Sequence, residues 1–175
     1  PVDSLEHHRK LKEEGFEITV LPAFRPDRAL AVEDPVFFNR YLETLESASG
    51  ISIGNYQQYL DALKNRHDFF HAAGCVLSDH GMEHLPAVEF TGAEAARVFD
   101  QARKGQQSDR LQTDKFKSAV LIQLAEWDHE RKWVQQFHLG ALRDANSRLL
   151  ETLGKDTGLD SIGDYSQGSE LAAFL

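Results

Sequence analysis

Three short apolar runs in this chain stop abruptly at charged or hydrogen-bonding residues, and the stretches between them carry helical periodicity. Glu17–Phe24 runs into Arg25-Pro26-Asp27. Cys75–Leu77 runs into Ser78-Asp79-His80-Gly81. Trp133–Leu142 carries His138 near its end and is followed by Arg143. Single strands divided by helices predict a parallel sheet, because a parallel crossover needs about a dozen residues or more. The polar ends at Arg25, Asp79 and His138 are spaced by 54 and 59 residues. One unit of an eight-stranded barrel takes roughly 30 residues, so each interval here holds an extra helix. Three strands cannot close a barrel. The pattern predicts a helix-rich α/β fold with about three parallel strands, either a small open sheet or part of a (β/α)8 barrel. The chain opens on Pro1 and stops at Leu175 inside an amphipathic pattern. On that reading residues 1–175 form a single segment of a larger barrel domain.

The helices announce themselves through local signals. Asp3 or Ser4 is placed to cap a first helix that Gly15 ends. A strand is expected over Ile18–Phe24. Asp34-Pro35 marks a helix start with Pro at the first helical position, and Gly50 marks its end. Tyr56, Tyr59, Leu60, Leu63, His67 and Phe70 share the next helical face, which Gly74 closes. After a strand at Cys75–Leu77, Thr91 and Glu94 form a capping box. Asp109–Lys132 reads as one long helix with Phe116, Val120, Leu121, Leu124 and Trp127 as its buried stripe. A third strand is expected over Trp133–Leu139, then a helix over Asn146–Leu153, a loop from Gly154 to Gly163, and a last helix near Ser166 or Gln167.

Composition removes several classes of function. A formal charge of −9 disfavours a nucleic-acid surface, which needs clustered Lys and Arg. No apolar run approaches the ~20 residues of a membrane span. A single cysteine, Cys75, cannot form an internal disulfide and fits a reducing, cytoplasmic setting. No P-loop, G-x-G-x-x-G or G-x-S-x-G motif occurs, so nucleotide and serine-hydrolase readings lack support.

The chemistry is expected at the strand ends, where α/β proteins place ligands. His138 is the candidate acid/base or metal ligand, since imidazole titrates near neutrality. The duller alternative is a core histidine bonded to a carbonyl. Arg25 offers a guanidinium fork to a carboxylate substrate, or a salt bridge to Asp27. Asp79 and His80 set an acid beside an imidazole, but neighbours on an extended strand point to opposite faces, so only one of them faces a site. Arg143 and Asn146 lie in a polar loop that suits an anion or hydroxyls, or simply caps a helix. His67 and His71 stand one helical turn apart without the glutamate of a zinc-protease motif, and read as a helix face rather than a metal site.

The sequence resembles the uronate (glucuronate) isomerases of the metal-dependent amidohydrolase superfamily, over essentially its whole length. The likeness rests on Asp3–Lys10 (DSLEHHRK), Leu21–Ala29 (LPAFRPDRA), Arg66–Gly81 (RHDFFHAAGCVLSDHG), Trp133–Arg143 (WVQQFHLGALR) and Leu153–Asp164 (LGKDTGLDSIGD). One departure stands out: Asp144 and Ala145 replace the asparagines that usually follow the HLGALR-type segment. The resemblance implies a (β/α)8 barrel with extra helices. It also implies interconversion of D-glucuronate with D-fructuronate and D-galacturonate with D-tagaturonate through a cis-enediol. A divalent metal is implied too, with zinc ahead of manganese and iron. The family's His-x-His pair and its aspartate after the last strand have no counterpart here, so the principal proton-transfer residues are expected outside this chain.

Under that resemblance Arg25 takes the substrate carboxylate, and His138 lies near the metal or the sugar oxygens. Asp79, His80 and Arg143 hold hydroxyls. The expected partner is a small uronate sugar, with a homo-oligomer as a further possibility. Two other readings compete. One is a metal-dependent hydrolase of the same superfamily. The other is a non-catalytic helical interaction module whose polar loops are only caps.

Overall fold

Side-chain caps at the predicted positions fix most of the helices in the computed structural model, which describes residues 1–175. Asp34 accepts from Phe37 N at 3.0 Å and opens α2 (Pro35–Ser49), which Gly50 ends in the left-handed region at φ 70°. Asn55 caps α3 (Tyr56–Ala72). The Thr91–Glu94 capping box starts α4 (Gly92–Arg103), and a second box, Asp109 with Gln112, starts α5 (Arg110–Arg131). Asn146 caps α6 (Ser147–Leu153), and α7 (Gly168–Phe174) closes the chain. The first helix, α1 (Glu6–Glu13), departs from expectation. Leu5 occupies its N-cap position at φ 57°, and Asp3 accepts from Leu5 N rather than from the helix.

Helices α2 to α5 pack on an aromatic core. Phe38 from α2 meets the edges of Tyr59, Phe99 and Phe116 at ring-centroid separations of about 6 Å, and the Tyr59 hydroxyl donates to the Ala29 carbonyl at 2.7 Å. Each fully buried large side chain contributes roughly 1.5–3 kcal/mol. No helix is long and apolar enough to cross a membrane.

On this helical layer lies a parallel pair, β1 (Leu77–Met82) and β2 (Val134–Leu139). The crossover between them is α4 and α5, as parallel pairing requires. The register sets Ser78 opposite Gln135, Asp79 opposite Gln136 and Gly81 opposite His138.

Three strand expectations need correction. Ile18–Phe24 forms no ladder. Its one sheet contact is a parallel bridge at Phe24, whose N–H donates to Leu77 O while its carbonyl accepts from Asp79 N. Phe24 is buried against Phe70 and Trp133. Ile18, Val20 and Leu21 instead remain partly exposed along a groove beside α1 and the end of α3. The parallel sheet therefore has two strands and a bridge rather than about three strands. Second, the strand expected at Cys75–Leu77 begins at Leu77 and runs on to Met82, so Ser78, Asp79 and His80 belong to the strand itself. Third, the Gly154–Gly163 loop contains β4 (Ser161–Ile162), which pairs antiparallel with β3 (Ala141–Leu142).

Candidate active site

Because side chains alternate along β1 and β2, the two faces of the pair carry different chemistry. Asp79, Gly81, Gln136 and His138 share the face turned away from the helices. Ser78, His80, Gln135 and Phe137 share the face turned toward them.

The outer face gathers three of the predicted residues. Asp79 Oδ2 lies 3.3 Å from Arg25 Nη1, and its other oxygen, Oδ1, lies 2.6 Å from His138 Nε2. Pro26 leads into a short 3-10 turn, Asp27–Leu30, that brings Asp27 back onto Arg25 Nε at 2.8 Å. Both Asp27 oxygens also accept from Gly81 N at 3.2 Å. Asp79 is mostly buried, while Arg25 and His138 are about half exposed, so the cluster opens outward. The hydrogen bond from Arg25 to Asp27 raises the guanidinium pKa further above its ordinary value.

The contact between Asp79 and His138 constrains the proton. Gln136 Nε2 lies 2.8 Å from the same imidazole nitrogen. One ring nitrogen cannot accept from an amide and donate to a carboxylate at once. A lone pair facing the carboxylate is repulsive. The arrangement is therefore favourable with a proton on His138 Nε2 and the Gln136 amide turned so that its oxygen faces the ring. Asp79 Oδ1 has no hydrogen-bond donor in line with it, although the atom is buried. A buried acceptor in this state calls for a partner.

His80 is placed differently from expectation. Its ring is fully buried on the inner face, 3.0 Å from Ser78 Oγ and stacked on Phe137 at 5.0 Å. Burial holds its pKa below the ordinary value. The expectation that His80 holds a substrate hydroxyl gives way to this placement in the core. Arg143 is drawn to Asp160, whose carboxylate also accepts from Asp144 N at 3.1 Å. This pair tethers the β3–β4 segment, and Arg143 makes its ion pair there rather than with Asp27 or Asp79. His67 and His71 do not point at a shared centre either, since His67 binds Asp128 and His71 accepts from the Trp133 indole at 3.2 Å.

Sequence reasoning missed Asp128. Its carboxylate is buried beneath the sheet and takes three partners: His67 Nε2 at 3.0 Å, Ser78 Oγ at 2.6 Å and Gln135 Nε2 at 3.0 Å. Ser78 and Gln135 face each other in register, so one oxygen of Asp128 ties β1 to β2 one residue before Asp79 and Gln136. The available signal was an aspartate one turn after Leu124, on the buried stripe of α5.

A metal is the remaining element of the sequence reading. The chain contains no group of three or more His, Cys, Asp or Glu side chains that could hold a metal ion. His138 and Asp79 are two donors, short of the complement that zinc takes in structural or catalytic sites. These residues alone do not make a metal site.

The architecture and the cluster define an α/β segment whose parallel pair and adjoining Arg25 turn present a carboxylate, an imidazole and a guanidinium to one opening. The family described as glucuronate isomerase matches residues 1–175, and the chain belongs to that family. It is 47% identical over 175 residues to the uronate isomerase of Phocaeicola vulgatus and 45% identical to that of Bacteroides thetaiotaomicron. All of this chain is covered in both matches, and it spans 37% of each relative's length. The crystal structure of the uronate isomerase from Thermotoga maritima superposes with a TM-score of 0.93 at 34% identity, covering 100% of this chain and 39% of that one. The glucuronate isomerase of Caulobacter crescentus follows with a TM-score of 0.86 at 29% identity, covering 100% and 36%.

Proposed function

We propose that residues 1–175 supply part of the active site of a uronate isomerase. The complete protein would interconvert aldose and ketose uronates, D-glucuronate with D-fructuronate and D-galacturonate with D-tagaturonate. The observation that carries this reading is the meeting of Arg25, Asp79 and His138 on one sheet face within a chain that matches the family from end to end.

The reaction moves a proton from C2 of the aldose to C1 through a cis-enediol. It needs a base within hydrogen-bond reach of the carbon acid and donors on the oxygens. In this scheme Arg25 uses the part of its fork left free by Asp27 and Asp79 to take the substrate carboxylate. His138, whose Nε2 proton is engaged by Asp79 and Gln136, would meet a sugar oxygen through its other ring nitrogen, Nδ1, as negative charge develops there. Asp79 would take a substrate hydroxyl only if His138 swings off its buried Oδ1. Arg143 would join only if its pairing with Asp160 gives way on binding.

The setting proposed for these residues is a (β/α)8 barrel, with the parallel pair as two of its strands and the remainder supplied by segments outside residues 1–175. A divalent metal, zinc by preference, would draw most of its ligands from those segments. The substrate is a small uronate, a homo-oligomer is compatible with the fold, and the lone buried thiol of Cys75 suits the cytoplasm.

The test is turnover by the complete protein. D-glucuronate should yield a ketose uronate and D-galacturonate a second one. Hydrolysis of an ester, amide or lactone with no ketose formed would replace this reading with a hydrolase.

A further inference from the structure

We infer that Asp27 and Gly81 are positioning residues for Arg25, Asp27 by gripping its guanidinium and Gly81 by having no side chain. This rests on the reading that Arg25 binds the uronate carboxylate.

Gly81 lies inside β1, where glycine weakens a strand because it packs nothing and adds backbone freedom. Its backbone does not demand glycine, since it is absent from the glycines with positive φ. The space around it does. A Cβ built on Gly81 would collide with Arg25 Nη2 and would touch Asp27 Oδ2 at 3.4 Å. Glycine within a strand commonly marks the close approach of another group, and here that group is the head of Arg25.

Asp27 completes the arrangement from the other side. It joins Arg25 Nε at 2.8 Å to the Gly81 amide at 3.2 Å, so one carboxylate fixes the guanidinium to the backbone of β1. Asp79 holds Nη1 at 3.3 Å. A long side chain that is half exposed would otherwise sample many rotamers. Held by two carboxylates over a bare stretch of strand, its free edge faces the opening in one orientation. Because the obstructed atom is the far end of a flexible side chain, the fold can absorb a methyl group at position 81, and the displaced element is Arg25.

The test uses the complete protein with Gly81→Ala, Asp27→Asn, Arg25→Lys and the double variant Gly81→Ala/Arg25→Lys. Gly81→Ala and Asp27→Asn should each raise KM for D-glucuronate about tenfold while kcat changes by less than about threefold. Gly81→Ala should add little to Arg25→Lys, because both act on the same contact. Multiplicative effects, or an unchanged KM in Gly81→Ala, would overturn the inference. A nitrogen-15 spectrum of the arginine Nε–H groups separates this claim from the functional one. A protected Arg25 signal that is lost in Gly81→Ala and Asp27→Asn supports the positioning role even if the unsubstituted protein turns over no uronate. A signal that neither substitution changes refutes it.

Discussion

Asp79 and His138 face each other across the parallel pair, with Asp79 Oδ1 2.6 Å from His138 Nε2. Neither is opposite the other in register, since Asp79 pairs with Gln136 and His138 with Gly81. They meet because side chains two apart on one strand share a face, and a carboxylate can reach diagonally across the gap. In the complete protein, His138→Asn and Asp79→Asn are each expected to lower kcat by about a hundredfold or more. The double variant should be little worse than the weaker single variant, since the two act as a unit. Steady-state kinetics on D-glucuronate would show this, and independent effects would show that the two residues do not act as a unit.

Asp128 is expected to matter for stability. Replacing it with Ala leaves His67, Ser78 and Gln135 facing an apolar void, which should cost about 3 kcal/mol or more. Asp128→Asn keeps the shape and should cost less. Urea unfolding of the complete chain would measure both, and equal stability of Asp128→Ala and the unsubstituted protein would remove this residue from the framework.

His80 gives the fold an acid sensitivity of predictable sign. Burial lowers its folded-state pKa below the ordinary 6.5, so the unfolded chain binds this proton first as pH falls. Its contribution to stability is intact above about pH 6.5 and declines below that, down to the depressed folded-state pKa. The loss of unfolding free energy between pH 7 and pH 5 should be smaller in His80→Gln. Parallel acid limbs in the two proteins would contradict the assignment.

Arg66 clamps the start of the chain. Its guanidinium donates to the carbonyls of Pro1, Ala48 and Asp3 at 2.8, 3.0 and 2.8 Å and lies 4.0 Å over the Phe69 ring. Arg66→Met should destabilise by about 2–3 kcal/mol, and Arg66→Lys should recover little, since one ammonium cannot span three acceptors in a fixed fork. Thermal unfolding of the three proteins decides the matter, and full recovery by Lys would show that charge alone is required.

The helices were legible because their signals are local. Asp34 with Pro35, Thr91 with Glu94, and Gly50 act within a few residues of themselves. The strands were harder. Ile18–Phe24 has strand-like composition, but most of its apolar residues line a groove and only Phe24 is paired. The second strand was read as ending at Leu77 because Ser78 and His80 are polar. Their burial depends on Asp128, 50 residues from Ser78 in sequence, which no local pattern reveals. The same limit governed the site. Strand-end logic singled out Arg25, Asp79 and His138, and the Arg25–Asp27 salt bridge was legible from their spacing, while the approach of Asp27 to the Gly81 amide depends on segments 54 residues apart. Alternation along β1 foretold that only one of Asp79 and His80 could face the opening, but not which.

The most direct test of the account is to incubate the complete protein with D-glucuronate and follow the sugar by proton NMR, alongside its His138→Asn variant. The account predicts that a ketose uronate accumulates to equilibrium with the unsubstituted protein and forms at least about a hundredfold more slowly with the variant. No ketose from D-glucuronate or D-galacturonate, or equal rates from both proteins, would contradict it.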